Sequence, residues 1–248
     1  MLRISHYDSP RGSGWDLATG LPAQPDQFDH YLGKPMFEGD GVRRCLYCHT
    51  TNFRAVLDQV GPEAADHSIG CERCHGPGGH HVAAVAAGFS DPAIANPGAG
   101  TAAEINQLCG QCHNIHRPDV LDKDRTDPVW YRFQALTLTW SRCYTESQGT
   151  LSCVSCHDPH RLAETSAARQ EVHCLSCHGP EPGTAQAARA SHSDPTPAST
   201  ASRTTCPVNP AKGCIDCHMA RAWEKSTHTF KTDHFIRVRE RDRLPAAE

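Results

Sequence analysis

The sequence is poor in the residues that usually fill a protein interior. Only 38% of its 248 residues are hydrophobic and 6% are aromatic, while glycine supplies 19 and proline 18. A domain of this length normally buries most of the surface that its unfolded chain exposes. Because this composition offers little apolar surface, we expect another apolar body to fill the interior.

Other absences exclude whole classes of protein. No run of 18 or more apolar residues occurs, so we expect no transmembrane helix. The formal net charge is -4 and no basic block is present, which argues against a nucleic-acid partner. Four arginines near the C-terminus alternate with acidic residues and are interpreted as a solvated, charge-balanced end. They are Arg237, Arg239, Arg241 and Arg243.

The secondary-structure signals predict short helices and long loops. Glycine and proline are dense in the first forty residues, which predicts an extended, turn-rich lead over 1–44 before a body at 45–240, within one domain. Thr101 and Glu104 are spaced as a capping box, and 128–147 is the longest predicted helix. Strand signals are almost absent. The fold class is therefore mainly α with long irregular loops.

Cysteine and histidine are abundant, at 14 and 17 residues, and most of the cysteines fall into one repeated motif. Cys-x-x-Cys-His occurs six times. The cysteine pairs are Cys45 and Cys48, Cys71 and Cys74, Cys109 and Cys112, Cys153 and Cys156, Cys174 and Cys177, and Cys214 and Cys217. The histidines that follow them are His49, His75, His113, His157, His178 and His218.

This motif is typical of covalent c-type haem attachment. Its two thiols reach the two vinyl groups on one edge of a porphyrin, and the next residue presents an imidazole to the iron. A zinc site would not require histidine after every pair. A thioredoxin-like thiol pair would need one motif in an alternating strand and helix pattern. We therefore predict six c-type haems, each with its motif histidine as proximal ligand.

Six haems also explain the scarce apolar residues, because each is a large and mostly apolar body. At roughly 41 residues per haem, most haems must lie close to others, which favours electron transport. Short helices wrapped around a closely packed haem array are the predicted architecture.

The second axial ligands are expected to be histidines, since the chain has only three methionines. His160 follows His157 by three residues, too near to reach the far face of the same haem, so we expect it to ligate a neighbouring one. His80 and His116 are rivals for the sixth position. The predicted distal ligands are His67, His81, His160, His228, His234 and His30.

Two cysteines, Cys143 and Cys206, lie outside the motifs. In an oxidising compartment a leftover pair usually forms a disulfide, and closing this loop would stabilise the fold by about 4 kcal/mol. The alternative is two unrelated buried thiols.

Several stretches resemble multihaem cytochromes related to the tetrahaem cytochrome c554-type electron acceptor of hydroxylamine oxidoreductase. They are WDLATG at 15–20, HSIGCERCHGPG at 67–78 with His81, RCY at 142–144, LSCVSCHDPH at 151–160, CIDCHM at 214–219 and TDH at 232–234.

The resemblance implies distal ligation by His67, His81, His160 and His234, and it implies pairing of Cys143 with Cys206. Family members usually carry a signal peptide and a further upstream haem motif, which this sequence lacks. We therefore expect a mature or truncated product, or a miscalled start at Met1. In either case we expect export to the periplasm or beyond, where covalent haem attachment takes place.

Two other functions stand beside an electron carrier. One is a multihaem oxidoreductase acting on a small nitrogen compound at a five-coordinate haem, although no Cys-x-x-Cys-Lys variant marks such a haem. The other is a subunit of a larger cytochrome assembly or filament. The propionates of six haems move the formal charge from -4 to about -16, so we expect redox partner proteins with basic docking surfaces.

Overall fold

The computed structural model describes residues 3–19, 21, 23–24, 40–52, 68–90, 93–113, 123–164, 166–179, 206–209 and 211–239. Most regular structure there is helical. The helices are α1 Asp40–His49, α2 Glu72–His75, α3 Gly79–Ala86, α4 Ala102–His113, α5 Gln134–Leu138, α6 Arg142–Thr145, α7 Ala167–His178 and α8 Cys214–His218. Short 3₁₀ segments lie at Pro97–Ala99, Pro128–Arg132 and Cys153–Ser155. The mainly helical character predicted from the sequence is present.

Two small antiparallel hairpins add more strand than the sequence predicts. β1 Ile4–Ser9 pairs with β2 Gly12–Leu17, and β3 Arg221–Glu224 pairs with β4 Thr229–Thr232. In the first hairpin the register runs from Ile4 opposite Leu17 to Ser9 opposite Gly12. Gly12 has φ +119°, a conformation that residues with a side chain rarely adopt. Gly12, one of the glycines interpreted as loop formers, thus lies next to the turn of a hairpin.

The chain forms two compact units. The first comprises Met1–Asn96 and Trp223–Lys231, and the second comprises Pro97–Ala222 and Thr232–Glu248. The first unit holds the first two motifs and the second unit holds the other four. The single domain with a lead at 1–44 and a body at 45–240 stays a prediction.

The start of α4 agrees with the predicted capping box. Glu104 N–H donates to Thr101 Oγ1 at 3.3 Å, and Thr101 N–H donates to Glu104 Oε2 at 2.7 Å. Two donors that a helix start leaves without partners are thereby satisfied.

The predicted long helix over 128–147 is wrong. The segment forms the 3₁₀ turn Pro128–Arg132, then α5 and α6, with non-helical backbone at Phe133 and Ser141. The breaks bring the Trp130 and Trp140 ring centres to 5.2 Å. A straight helix would separate these positions by about 15 Å along its axis. Packing of the tryptophans therefore outweighs helical continuity.

The apolar core is small. In the described part of the chain nine hydrophobic residues are buried, and Trp130 and Phe133 form their central cluster. All fourteen cysteines are described, and every one is at least partly accessible to solvent. Unbonded cysteine is ordinarily among the most buried residue types. The motif cysteines are thus less buried than unbonded cysteines usually are.

Candidate functional site

Five of the six motifs end at the last residue of an α-helix, and in the second motif Cys71 directly precedes its helix. Both cysteines and the histidine lie at positions i, i+3 and i+4, which share one helix face. The motif histidine is the final residue of each of these helices: His49 of α1, His75 of α2, His113 of α4, His178 of α7 and His218 of α8. The fourth motif starts instead with the 3₁₀ turn Cys153–Ser155.

Backbone carbonyls orient two of the motif imidazoles. His75 Nδ1 lies 2.8 Å from Ala95 O, and His218 Nδ1 lies 3.0 Å from Arg237 O. Since a carbonyl can only accept, each Nδ1 carries a proton, and in the neutral imidazole Nε2 then has the lone pair. This is the tautomer and the outer contact that metal-bound histidines usually have.

His157 of the fourth motif faces His234 from a distant part of the sequence. Their ring centres are 6.2 Å apart with an angle of 32° between the planes. Two imidazoles on opposite sides of one metal ion, with bonds of about 2.0 Å, place their ring centres about 6 Å apart. The spacing of this pair therefore suits two axial ligands of one iron.

The His234 ring is held from its backbone. Its Nδ1 donates to Thr232 O at 3.0 Å, and Ser141 Oγ donates to His234 O at 3.1 Å while accepting from Ile236 N–H at 2.8 Å. Burial lowers the pKa of His234, and desolvation together with His173 and His113 lowers the pKa of His157. Both rings are thus neutral at pH 7, as iron ligands must be.

Buried polar side chains join the motifs of the second unit in pairs. Asn106 lies three residues before Cys109, and its Oδ1 accepts from Cys153 N–H at 2.8 Å. Glu171 lies three residues before Cys174, and its carboxylate accepts from Gly213 N–H at 3.0 Å and Ile215 N–H at 3.1 Å. The third motif thus holds the start of the fourth, and the fifth holds the start of the sixth.

Interactions between thiols of different motifs also occur in the second unit. A hydrogen bond with Cys153 lowers the pKa of Cys109 to about 7, and the same contact raises the pKa of Cys153. Burial raises the pKa of Cys156 to about 11, with Cys143 and Cys177 adding to the rise.

The last contact is between Cys174 and Cys214. Burial raises the pKa of Cys174 to about 12, and the Cys214 thiol adds to that rise. A thiol of the third motif is therefore hydrogen-bonded to a thiol of the fourth, and a thiol of the fifth to one of the sixth, while Cys177 of the fifth motif acts on Cys156 of the fourth electrostatically.

This donor set fits c-type haem. The paired motif cysteines are all at least partly accessible, two motif histidines present Nε2, and one further histidine lies at axial-ligand spacing. Among the described residues, no group of three or more His, Cys, Asp or Glu side chains is placed to hold a bare metal ion. A haem iron requires only two protein ligands, because the porphyrin supplies the rest.

Comparison with known families agrees with this chemistry. Residues 30–76 match the model of the family cytochrome c554 and c-prime, a stretch that contains the first two motifs. The chain is related to the c554-type multihaem cytochromes. No curated protein and no solved structure matched the chain. No described helix is long and apolar enough to cross the bilayer.

The structure places the other predicted distal ligands differently. His30 and His67, and the rival His116, lie outside the described residues. His81 is half-buried on α3, one residue beyond the exposed His80. The His160 side chain is 67% exposed, with Nδ1 3.6 Å from Asp158 Oδ1.

His228 is placed in a polar and aromatic setting. Its Nε2 lies 3.0 Å from Asp16 Oδ2, and its ring stacks on Tyr7 at 4.0 Å. Iron ligation through Nε2 would require this contact with Asp16 to open. His228 therefore stays a predicted ligand with a competing partner.

The predicted disulfide between Cys143 and Cys206 is not supported. Both residues carry free thiols, and the cysteines do not lie at bonding distance. Cys206 Sγ accepts from Asn209 N–H at 3.4 Å within its own turn. Cys143 instead neighbours the motif thiols Cys156 and Cys177.

The interpretation of the C-terminal arginines as a solvated end is wrong for two of them. The side chains of Arg237 and Arg239 are only 17% and 8% exposed, and both pair with the buried carboxylate of Asp233. The sequence did not predict this burial, because Glu240 and Asp242 alternate with the arginines and suggested that neighbouring residues neutralise their charge. His173 is a further residue that the sequence did not single out, since only the fold brings it near His157.

Proposed function

We propose that this chain is a hexahaem c-type cytochrome that transfers electrons between redox partners through closely spaced, mostly bis-histidine haems. The observation that carries the proposal is the contact between cysteines of the third and fourth motifs and of the fifth and sixth motifs in the second unit. Each haem is attached through the cysteines of its motif. Where cysteines of two motifs are in contact, the attached edges of the two haems must be close, so the macrocycles lie close together.

The chain's residues have separate roles in this proposal. The motif cysteines hold the haem edges, the motif histidines bind the irons, and His234 is the opposing ligand to His157. The haem supplies one-electron chemistry at its iron. Asn106 and Glu171 fix the spacing within two pairs of motifs, so electrons would pass without large movement of the protein.

Export to the periplasm or the cell exterior belongs to the same proposal, because covalent haem attachment takes place there. Redox partner proteins with basic docking surfaces are its expected partners, and other cytochrome subunits are a second class.

Haem counting and spin state test this function. We expect intact-mass measurement to find six covalent haems, and electron paramagnetic resonance of the oxidised protein to show low-spin ferric iron. A haem-free Cys-x-x-Cys-His pair in the mature protein would contradict the count. A high-spin signal that changes on adding nitrite or hydroxylamine would replace the carrier with an oxidoreductase.

A further inference from the structure

A buried charged cluster follows His234 in the second unit. It consists of Asp233, Arg237 and Arg239, and Asp233 is 1% exposed. Arg237 Nη1 donates to Asp233 Oδ2 at 2.7 Å, and Arg239 Nη2 donates to the same oxygen. The other carboxylate oxygen accepts from Phe235 N–H at 2.8 Å.

The charges within this cluster do not balance. Two guanidinium groups meet one carboxylate, which leaves a net charge of one positive unit in a largely buried place. Within the described part of the chain, Arg239 Nε is buried without a hydrogen-bond partner, and the Arg239 side chain is only 8% exposed. Buried charges are normally paired, and a buried donor without an acceptor is costly. The cluster therefore requires one more anionic acceptor, beside Arg239 Nε.

The cluster lies between two candidate haem ligands. Asp233 directly precedes His234 and contributes to its electrostatic environment. Arg237 O holds the imidazole of His218. A haem ligated by His234 would therefore lie beside a segment that carries two largely buried guanidinium groups within five residues of its ligand.

We propose that Arg239, with Arg237, binds a carboxylate, and that this carboxylate is a propionate of the haem held between His157 and His234. The proposal rests on the hexahaem function stated above. Arg239 is a positioning residue in it: its guanidinium neutralises the propionate and stabilises the reduced haem, which carries one positive charge less than the oxidised haem. The other source of the same chemistry is a small anion from solution.

Potentiometric and infrared measurements on the haem-loaded full chain test the proposal. In Arg239→Gln we expect the equilibrium constant for reduction of one haem to fall about tenfold, which is about 59 mV for one electron. The haem whose midpoint potential falls in Arg239→Gln must be the haem whose midpoint potential rises in His234→Met, since a thioether ligand raises haem potential. Haems with ¹³C-labelled propionates should show a shifted carboxylate band in the reduced-minus-oxidised infrared spectrum of Arg239→Gln.

Arg169→Gln is the matched control. Arg169 also pairs with a carboxylate, Glu164 at 3.2 Å, but its side chain is 79% exposed. We expect neither the potential nor the labelled band to change in this variant. Should Arg239→Gln fail to accumulate, Arg239→Lys keeps the charge but removes the Nε donor, and the labelled band must still shift.

An unchanged propionate band in both Arg239 variants would overturn the proposal. A change in midpoint potential confined to haems other than the one that responds to His234→Met would also overturn it. A wild-type potential that varies with phosphate or nitrate at constant ionic strength would assign the site to a solution anion instead. If no haem is attached at Cys153 and Cys156, the proposed function fails. If six haems are present and the band stays constant, only this inference fails.

Discussion

His234 shows how a distant residue becomes a candidate ligand. Thr232 O fixes its Nδ1 proton, Ser141 fixes its backbone, and burial keeps the ring neutral. These contacts position Nε2 before any metal arrives. Since side chains held this way lose little freedom on binding, His234 is the distal candidate with the strongest geometric support.

Removing this imidazole should open one iron. In His234→Ala we expect one haem of the six to become high-spin, seen by electron paramagnetic resonance and by a new ability to bind cyanide or nitric oxide. His6→Ala is the control, because His6 is an exposed residue of β1. An unaltered low-spin spectrum in His234→Ala would exclude His234 as a ligand.

Glu104 gives a prediction about acid stability at the same scale. Hydrogen bonds from Thr101 lower the pKa of the exposed Glu104 carboxyl. A lowered pKa means that its contribution to the free energy of unfolding is full above the ordinary value near 4.5 and is lost as pH falls through the folded value. The stability difference between wild type and Glu104→Gln, measured by chemical unfolding, should therefore shrink below pH 4.5. A difference that grows on acidification would contradict this role.

At the scale of elements, two polar clamps organise the second unit. Asn106 and Glu171 each lie three residues before the first cysteine of a motif, and each accepts hydrogen bonds from the backbone that begins the next motif. Glu171 is 6% exposed and takes two donors at the start of α8. The short helix α8 therefore depends on α7 for its N-terminal hydrogen bonds.

Weakening one clamp should loosen one pair of motifs. Glu171→Gln retains a single acceptor and faces the second N–H with a donor, so we expect a loss of about 2 kcal/mol in the free energy of unfolding. Glu146→Gln should change stability by less than about 0.5 kcal/mol, since Glu146 is 68% exposed and pairs at 3.9 Å with Arg142. Equal losses in the two variants would argue against the clamp.

These elements also show what the sequence could predict. The capping box of α4 was predictable, because both partners lie within one helical turn. The helix at 128–147 was not, since its breaks depend on contact between Trp130 and Trp140. The clamps and the Arg237–Asp233–Arg239 cluster could not be predicted either, because the roles of these residues depend on which segments are in contact in the folded chain. The motifs themselves needed no tertiary information.

For the whole molecule, charge should govern encounters with partners. The chain carries -4 at pH 7, and six haems would add propionates that are only partly neutralised by arginines such as Arg239. Opposite charges steer association, and salt screens them over about 10 Å at 0.1 M.

We therefore expect electron transfer to a basic redox protein to slow about tenfold or more as ionic strength rises from about 0.01 to 0.5 M. Stopped-flow mixing measures this rate. A small neutral oxidant serves as the control and should show little salt dependence. A rate with the basic protein that rises with salt would contradict an acidic docking surface.

The nine buried hydrophobic residues of the described chain also bear on the order of biosynthesis. Such a core supplies little of the free energy needed to offset the entropy of chain ordering. The newly made polypeptide should therefore remain loose and sensitive to protease until its cofactors are bound. Maturation would then be progressive, with each attached haem becoming part of the interior against which the following segment folds.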